Sequence, residues 1–243
     1  MKKAIFFSLI FFLLSRIVDG QIKSGKIIYG VEVNESETQK LIESTTDKAG
    51  KAYLVKYINS FKKSFPYVKV TLLFNEQESI YNGEKVMKSD NGLNLKMAYQ
   101  LVSPGTYYTN LGRSLTLHQN EFMGNKYLIN KSEGFNWKIT QKQKIIKGYV
   151  CYKATLDIKK NDKIITSTAW FCPSLPFQFG PKGFNGLPGL ILEFNYLNRF
   201  RFFPKQIEFY NEKMEIQEPK EGKSISKKEF EKILKKHTRF YRE

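Results

Sequence analysis

The sequence is poor in the residues that most metal and nucleophile chemistry needs. Its 243 residues include only two histidines, His118 and His237, and two cysteines, Cys151 and Cys172. No Asp or Glu stands at metal-ligand spacing from either histidine, so a zinc site lacks its parts and no metal is expected. His118 reads as an exposed strand residue, and His237 as a residue near a helix C-terminus, where its charge suits the helix dipole. No serine carries the glycine pattern of a nucleophile elbow, and no glycine loop cradles a phosphate. No catalytic residue and no cofactor is therefore assigned, and the reading leans away from an enzyme. The alternative is a periplasmic hydrolase whose carboxylates converge only in the fold, which spacing along the chain does not reveal.

Acid is also scarce: 23 Asp and Glu stand against 40 Lys and Arg, a formal charge of +17. The lysines are spread rather than gathered among groove-reading motifs, which argues against nucleic acid as a partner. They suit a solvated surface, with peripheral contact to an anionic membrane surface as the functional competitor.

Long apolar runs are missing beyond residue 20. The run that does exist, Ala4 to Leu14 after Lys2 and Lys3, falls short of the roughly 20 residues a membrane helix needs. Arg16 cuts it off, and Val18 and Gly20 fit the small-residue pattern before a cleavage site. Residues 1–20 are thus expected to be a signal peptide, with Gln21 the mature start and no transmembrane segment after it. No cysteine follows to carry a lipid anchor. Export, to the periplasm, the outer membrane or the medium, is the expected localisation.

What the chain has in abundance is aromatic side chains, 20 Phe and 14 Tyr, which suit pleated surfaces. Residues 21–243 are read as one domain, α+β, dominated by a curved antiparallel sheet resembling an open barrel, with an N-terminal and a C-terminal helix. Strands are expected at 25–33, 68–74, 78–81, 106–110, 114–122, 126–130, 135–140 and 200–210, with Asn82-Gly83 as a turn and Pro204 as an edge or bulge. Tyr53, Leu54, Tyr57, Ile58 and Phe61 share one helix face, a stripe expected to pack on the sheet, and Pro66 ends that helix. Ser226 and Glu229 form a capping box for a last helix, with Ile225 stapling onto Phe230.

The most informative stretch runs from Ile145 to Tyr196. Ile145 to Ile158 alternates as a strand, and Ile164 to Cys172 returns as a second. A tight turn at Asn161-Asp162 fixes their register, so that paired residue numbers sum to about 323. Tyr152 then faces Phe171, Ala154 faces Ala169, and Lys153 meets Trp170. Cys151 meets Cys172 as a non-hydrogen-bonded pair with Cα atoms about 4.5 Å apart, near the short end of disulfide geometry. A cross-strand disulfide is expected, closing about 20 residues and stabilising by about 3 kcal/mol. A redox-active pair is disfavoured by the lack of Cys-x-x-Cys spacing.

Pro173, Pro176, Gly180, Pro181, Gly183 and Gly186 then break regular structure. Leu187-Pro188-Gly189-Leu190 fits a type II turn with Gly189 at positive φ. After it Leu190, Leu192, Phe194 and Tyr196 alternate against Ile191, Glu193 and Asn195. These residues carry a resemblance. Gly186-Leu187-Pro188-Gly189-Leu190-Ile191 is the hexapeptide for which the GLPGLI family of exported Bacteroidetes proteins is named. The chain resembles that family most from Trp137 to Phe194, through Lys144 to Thr155, Ala169-Trp170-Phe171 and Gly180-Pro181. The family usually has tyrosine-threonine-proline after the tryptophan; Phe171-Cys172-Pro173 here confines the disulfide to this member or a subset. The resemblance implies a secreted or periplasmic envelope protein and supplies no activity. The motif is read as structural, with glycine and proline performing turn work. The expected function is non-catalytic binding or assembly with an envelope protein or small ligand, sought first on the surface between Pro173 and Gly186. A carrier of an apolar ligand is a second alternative.

Overall fold

A computed structural model describes residues 22–83, 95–131, 134–160 and 163–239; the expected signal peptide and the Asn161-Asp162 turn lie outside them. Among the described residues twelve strands form one open sheet, in the order β12-β6-β5-β4-β3-β2-β1-β11-β10-β9-β8-β7. The first five after the opening strand are a meander: β2 (Val70–Asn75), β3 (Glu78–Gly83), β4 (Thr106–Asn110), β5 (Leu115–Phe122) and β6 (Asn125–Asn130). A second meander follows: β7 (Lys138–Ile146), β8 (Tyr149–Lys160), β9 (Lys163–Cys172), β10 (Leu190–Tyr196) and β11 (Phe200–Tyr210). The first strand, β1 (Ser24–Val33), joins them, antiparallel to β2 on one side and to β11 on the other. Short β12 (Lys223–Ser226) lies parallel to β6 at the far edge. The architecture is mostly β. Four helices are described where two were expected: α1 (Glu35–Glu43), α2 (Lys48–Ser64), α3 (Leu95–Val102) and α4 (Lys227–Arg239).

The alternation in the sequence sets the core. Ile27, Tyr29 and Val31 of β1 and Val70, Leu72 and Phe74 of β2 are all buried, as period-two patterning requires. Register agrees with expectation through the β8–β9 hairpin, from Lys160 opposite Lys163 to Tyr152 opposite Phe171. Pro204 marks a bulge, beyond the part of β11 that pairs with β10: Ile28 pairs with Gln206 and Tyr29 with Pro204, leaving Lys205 as the extra residue. The capping box is formed as read. Ser226 Oγ accepts from Glu229 N at 3.2 Å while Glu229 Oε2 accepts from Ser226 N at 2.7 Å, and Phe230 is buried against Tyr127.

Several expectations are corrected. Ile145 to Ile158 is not one strand; Lys147 (φ 51) and Gly148 (φ 86) make a two-residue turn that ends β7 and starts β8. Asn82-Gly83 is not a turn but the end of β3. A Cβ on Gly83 would lie 2.5 Å from the Tyr99 ring, so glycine there makes room for α3. The stripe of α2 is core only in part: Tyr57 packs against the core, but Tyr53 is 70% exposed and Leu54 and Ile58 are half-buried, because α2 packs mainly on α1, α3 and the Phe65–Tyr67 turn; the side chain of Phe61 lies outside those described. His118 is buried rather than exposed.

Candidate functional site

The segment between β9 and β10, Pro173 to Gly189, is half interior: Pro173, Ser174, Pro176, Gln178, Gly186 and Pro188 are exposed, and the residues between them turn inward. It folds back over the sheet as a plug, with Leu175, Phe177, Phe179, Phe184 and Leu187 buried. Its backbone is tied to the start of β10: Leu190 N donates to Leu175 O at 2.9 Å and Ile191 N to Phe179 O at 2.9 Å. These bonds replace the type II turn. Leu190 N is already engaged, so the bend closes one residue earlier, Gly189 N donating to Leu187 O at 2.8 Å around Pro188. Gly189 has φ +150, and a Cβ there would lie 2.2 Å from the Cys172 carbonyl oxygen. Gly180 also abuts a neighbour, less closely, with 2.7 Å from a would-be Cβ to Ile191 Cδ1. Gly186 has φ +86 and open space around it. Pro181 and Leu187 are buried with the plug, whereas Pro188 is exposed.

The far end of the plug carries its least expected residue. Lys182 is buried, with φ 59, between Pro181 and Gly183. Its Nζ donates to Val102 O at 2.9 Å and lies 5.4 Å from the Tyr107 ring and 5.3 Å from the Tyr196 ring. Tyr107 is on β4 and Tyr196 on β10, five steps apart in the strand order. In a flat sheet those strands would stand about 24 Å apart. The sheet therefore curls until one ammonium touches both rings, and the plug fills the inside of the curl. Phe184 completes the filling against Phe194 (4.5 Å), Phe135 (4.8 Å) and Trp137 (6.2 Å), and Trp137 Nε1 donates to Asn185 O at 2.8 Å.

His118 stacks on the other side of this cluster, 4.0 Å from Tyr107 with the rings nearly parallel. Its Nε2 meets Pro104 O at 2.5 Å. Burial, with the charges of Lys131 and Lys182, brings its pKa down to about 3. The imidazole is thus neutral at ordinary pH, with Nε2 donating to Pro104 O. Burial likewise raises the Tyr107 and Tyr196 hydroxyls. The cluster is a clamp that holds the plug across the curl.

On the opposite face of β8 and β9 lie the cysteines. Cys151 and Cys172 stand as buried thiols next to each other. Burial and the neighbouring Cys172 push the Cys151 thiol up, so neither geometry nor charge favours a thiolate nucleophile. Glu193 is buried nearby and holds two cations: Lys144 Nζ at 2.7 Å from Oε1 and Arg201 at 3.0 Å from Oε2. Lys144 also sits 4.4 Å above the ring of Trp170, which explains that tryptophan as a packing platform. A register shift puts Glu193 there. Ile191 pairs with Phe171 and Glu193 with Trp170, leaving Leu192 as an extra residue. Ile191 and Phe194 therefore share the face of Phe171 and Ala169, contrary to simple alternation.

Sequence reasoning missed Lys182 and Glu193. Each had a signal: Lys182 is the one charge between Pro173 and Leu192, and Glu193 the one charge in Leu190–Tyr196. Among the described residues, no group of three or more His, Cys, Asp or Glu is arranged to hold a metal ion.

The profile of a family described as "Protein of unknown function (Porph_ging)" matches residues 157–193, from the second half of β8 through the plug to Glu193. That match is consistent with the GLPGLI resemblance without being identical to it. No curated protein matches significantly. Several chains of solved structures are similar, two of them as follows. "Structure of PNGF-II in C2 space group" matches with a TM-score of 0.54 and 10% identity, over 87% of this chain and 32% of that one. "Structure of PNGF-II in P21 space group" matches with a TM-score of 0.49 and 11% identity, over 87% and 33%. The chain thus spans about a third of the length of these structures, and the first of them places its curled sheet in a known fold.

Proposed function

We propose that the chain is an exported cell-envelope protein that works by binding or assembly rather than catalysis, with a cleaved leader ending at Gly20. The observation that carries this reading is strand β7. It is the outermost strand at its end of the sheet, so its outer backbone edge has no partner strand among the described residues. Ile139 and Ile145 on it and Val150 beside it are 54%, 73% and 45% exposed, and register puts all three on one face. An open edge flanked by apolar side chains is a template for strand addition. Lys138 and Lys144 on this strand are paired with Asp157 and Glu193, and exposed Lys142 favours an acidic extended segment as the partner.

The residues that looked most like a site, the hexapeptide and Trp170, have framework roles. Cys151 and Cys172 fit the same reading as a disulfide formed after export, since buried, adjacent thiols in an oxidising compartment pair readily. A carrier role finds less support, because the plug fills the inside of the curl. The similarity of the fold to one third of a longer chain favours a module that works attached to or alongside other parts.

The test is photocrosslinking in the native host. A crosslinker at Ile145 or Ile139 should yield a discrete adduct outside the cytoplasm, and one at Lys213 should not. Cytoplasmic retention of the protein, or no adduct from either edge position, would overturn the proposal.

A further inference from the structure

We infer that the cleft between the β7–β8 turn and the β11 bulge is a binding site for a phosphate monoester. The cleft, of about 440 Å³, is lined by Ile146, Lys147, Glu193, Arg201, Phe203, Pro204 and Lys205. That size suits a small ligand. Its cations are set in place by the fold. Lys147 is the positive-φ residue of the turn, and Lys205 is the residue that the bulge leaves out of register. Bulges commonly re-aim a side chain toward a site.

Buried Glu193 organises the floor. One carboxylate oxygen takes Lys144 and the other Arg201, while a second nitrogen of Arg201 meets Glu32 at 2.6 Å. The guanidinium also lies over the Phe203 ring, 5.0 Å from its centroid. Arg201 retains further N–H donors unused among the described residues. Lys205 Nζ has one bond, to Pro66 O at 3.0 Å, which leaves its charge uncompensated. Lys147 is exposed, with no ion pair among the described residues.

Charge sets the ligand class. Four cations, Lys144, Lys147, Arg201 and Lys205, stand against two carboxylates, Glu193 and Glu32, a surplus of two positive charges. A phosphate monoester carries close to two negative charges at neutral pH. A planar guanidinium flanked by lysines is the arrangement that binds such a group. The ester is either a soluble sugar phosphate or a lipid headgroup, and both present the same terminal group. The site lies apart from the open outer edge of β7, so it stands or falls independently of the strand-addition reading.

The experiment uses the full mature chain, with glucose 1-phosphate by calorimetry and phosphatidic-acid vesicles by co-sedimentation. Lys147→Asn, which tolerates the turn's positive φ, and Lys205→Gln should each weaken binding about tenfold. Lys147→Arg should retain binding, which separates charge from folding. Lys213→Asn with Lys220→Asn removes twice the charge of either single variant from an exposed segment elsewhere and should leave binding unchanged. Loss of affinity for the soluble ester identifies a sugar phosphate; loss confined to vesicles identifies a headgroup. Binding of neither probe by folded wild-type protein, or an equal loss in the remote double variant, overturns the inference.

Discussion

Gly186 and Gly189 belong to the same hexapeptide and both have positive φ, yet they should tolerate alanine very differently. At Gly186, φ is +86 and nothing lies within 4 Å of a would-be Cβ. The only cost is the left-handed backbone, about 1–2 kcal/mol for a residue with a side chain. At Gly189, φ is +150 and the Cβ would stand 2.2 Å from the Cys172 carbonyl oxygen, 2.5 Å from its carbon and 2.9 Å from the nitrogen of Pro173. All three are backbone atoms, so no rotamer change relieves the clash. Either β9 and β10 must part, breaking the Leu190–Cys172 pair, or the Leu190 N–H to Leu175 bond is lost. A cost of more than about 3 kcal/mol follows. For a domain of this size the urea m-value is about 2–3 kcal/mol per molar. Gly186→Ala should then lower the midpoint by about 0.5 M and Gly189→Ala by more than about 1 M, with m unchanged. Equal shifts, or a larger one for Gly186→Ala, would show that the hexapeptide is not held by this approach of two backbones.

Three further outcomes are expected. If Cys151 and Cys172 pair, intact mass will be lower by about two hydrogens than after reduction, and reduction will destabilise by about 3 kcal/mol; two free thiols in the purified exported protein would refute the pairing. His118 has a folded pKa of about 3 against an ordinary value near 6.5. The unfolded chain therefore binds its proton first, and the stability His118 confers, full above about pH 6.5, is lost as pH falls toward 3. His118→Gln should flatten the stability profile over that window, and an unaltered slope would sink this assignment. Ser226→Ala removes the acceptor for Glu229 N–H and should cost about 1 kcal/mol. The loss should appear as faster hydrogen exchange in α4 with little change in β9 or β10.

Local rules were legible where neighbours along the chain decide the structure. The register of β8 and β9, the capping box of α4 and the bulge at Pro204 all depend on residues within one hairpin, one turn of helix or one proline. What the sequence hid depends on groups brought together from afar. Gly83 looked like a turn because the Tyr99 ring that needs its space comes from another element. The Pro173–Gly186 stretch looked like surface because loops usually are, but the curl of the sheet made an interior for its phenylalanines. Lys182 was invisible as a site because the two tyrosines that receive it lie five strands apart in the sheet. A register shift that leaves Leu192 unpaired turned Ile191 to the other face, and no period-two reading detects a single extra residue.

The placing of β1 has a consequence for how the chain reaches this state. Within each meander, paired strands follow one another in the chain, but in the sheet the two meanders meet through β1, which lies between β2 and β11. The contacts on the β11 side span most of the chain; Glu32 meets Arg201 across 169 residues and Ser24 meets Glu212 across 188. Contacts of such separation form late, because the entropy of closing the loop must be met before they contribute. Strand β1 therefore waits for a strand more than 160 residues further on, its backbone edge on that side unpaired until β11 arrives. Acquisition of the joined sheet should be the slow phase of refolding, and a substitution in β11 should slow it more than one in β3.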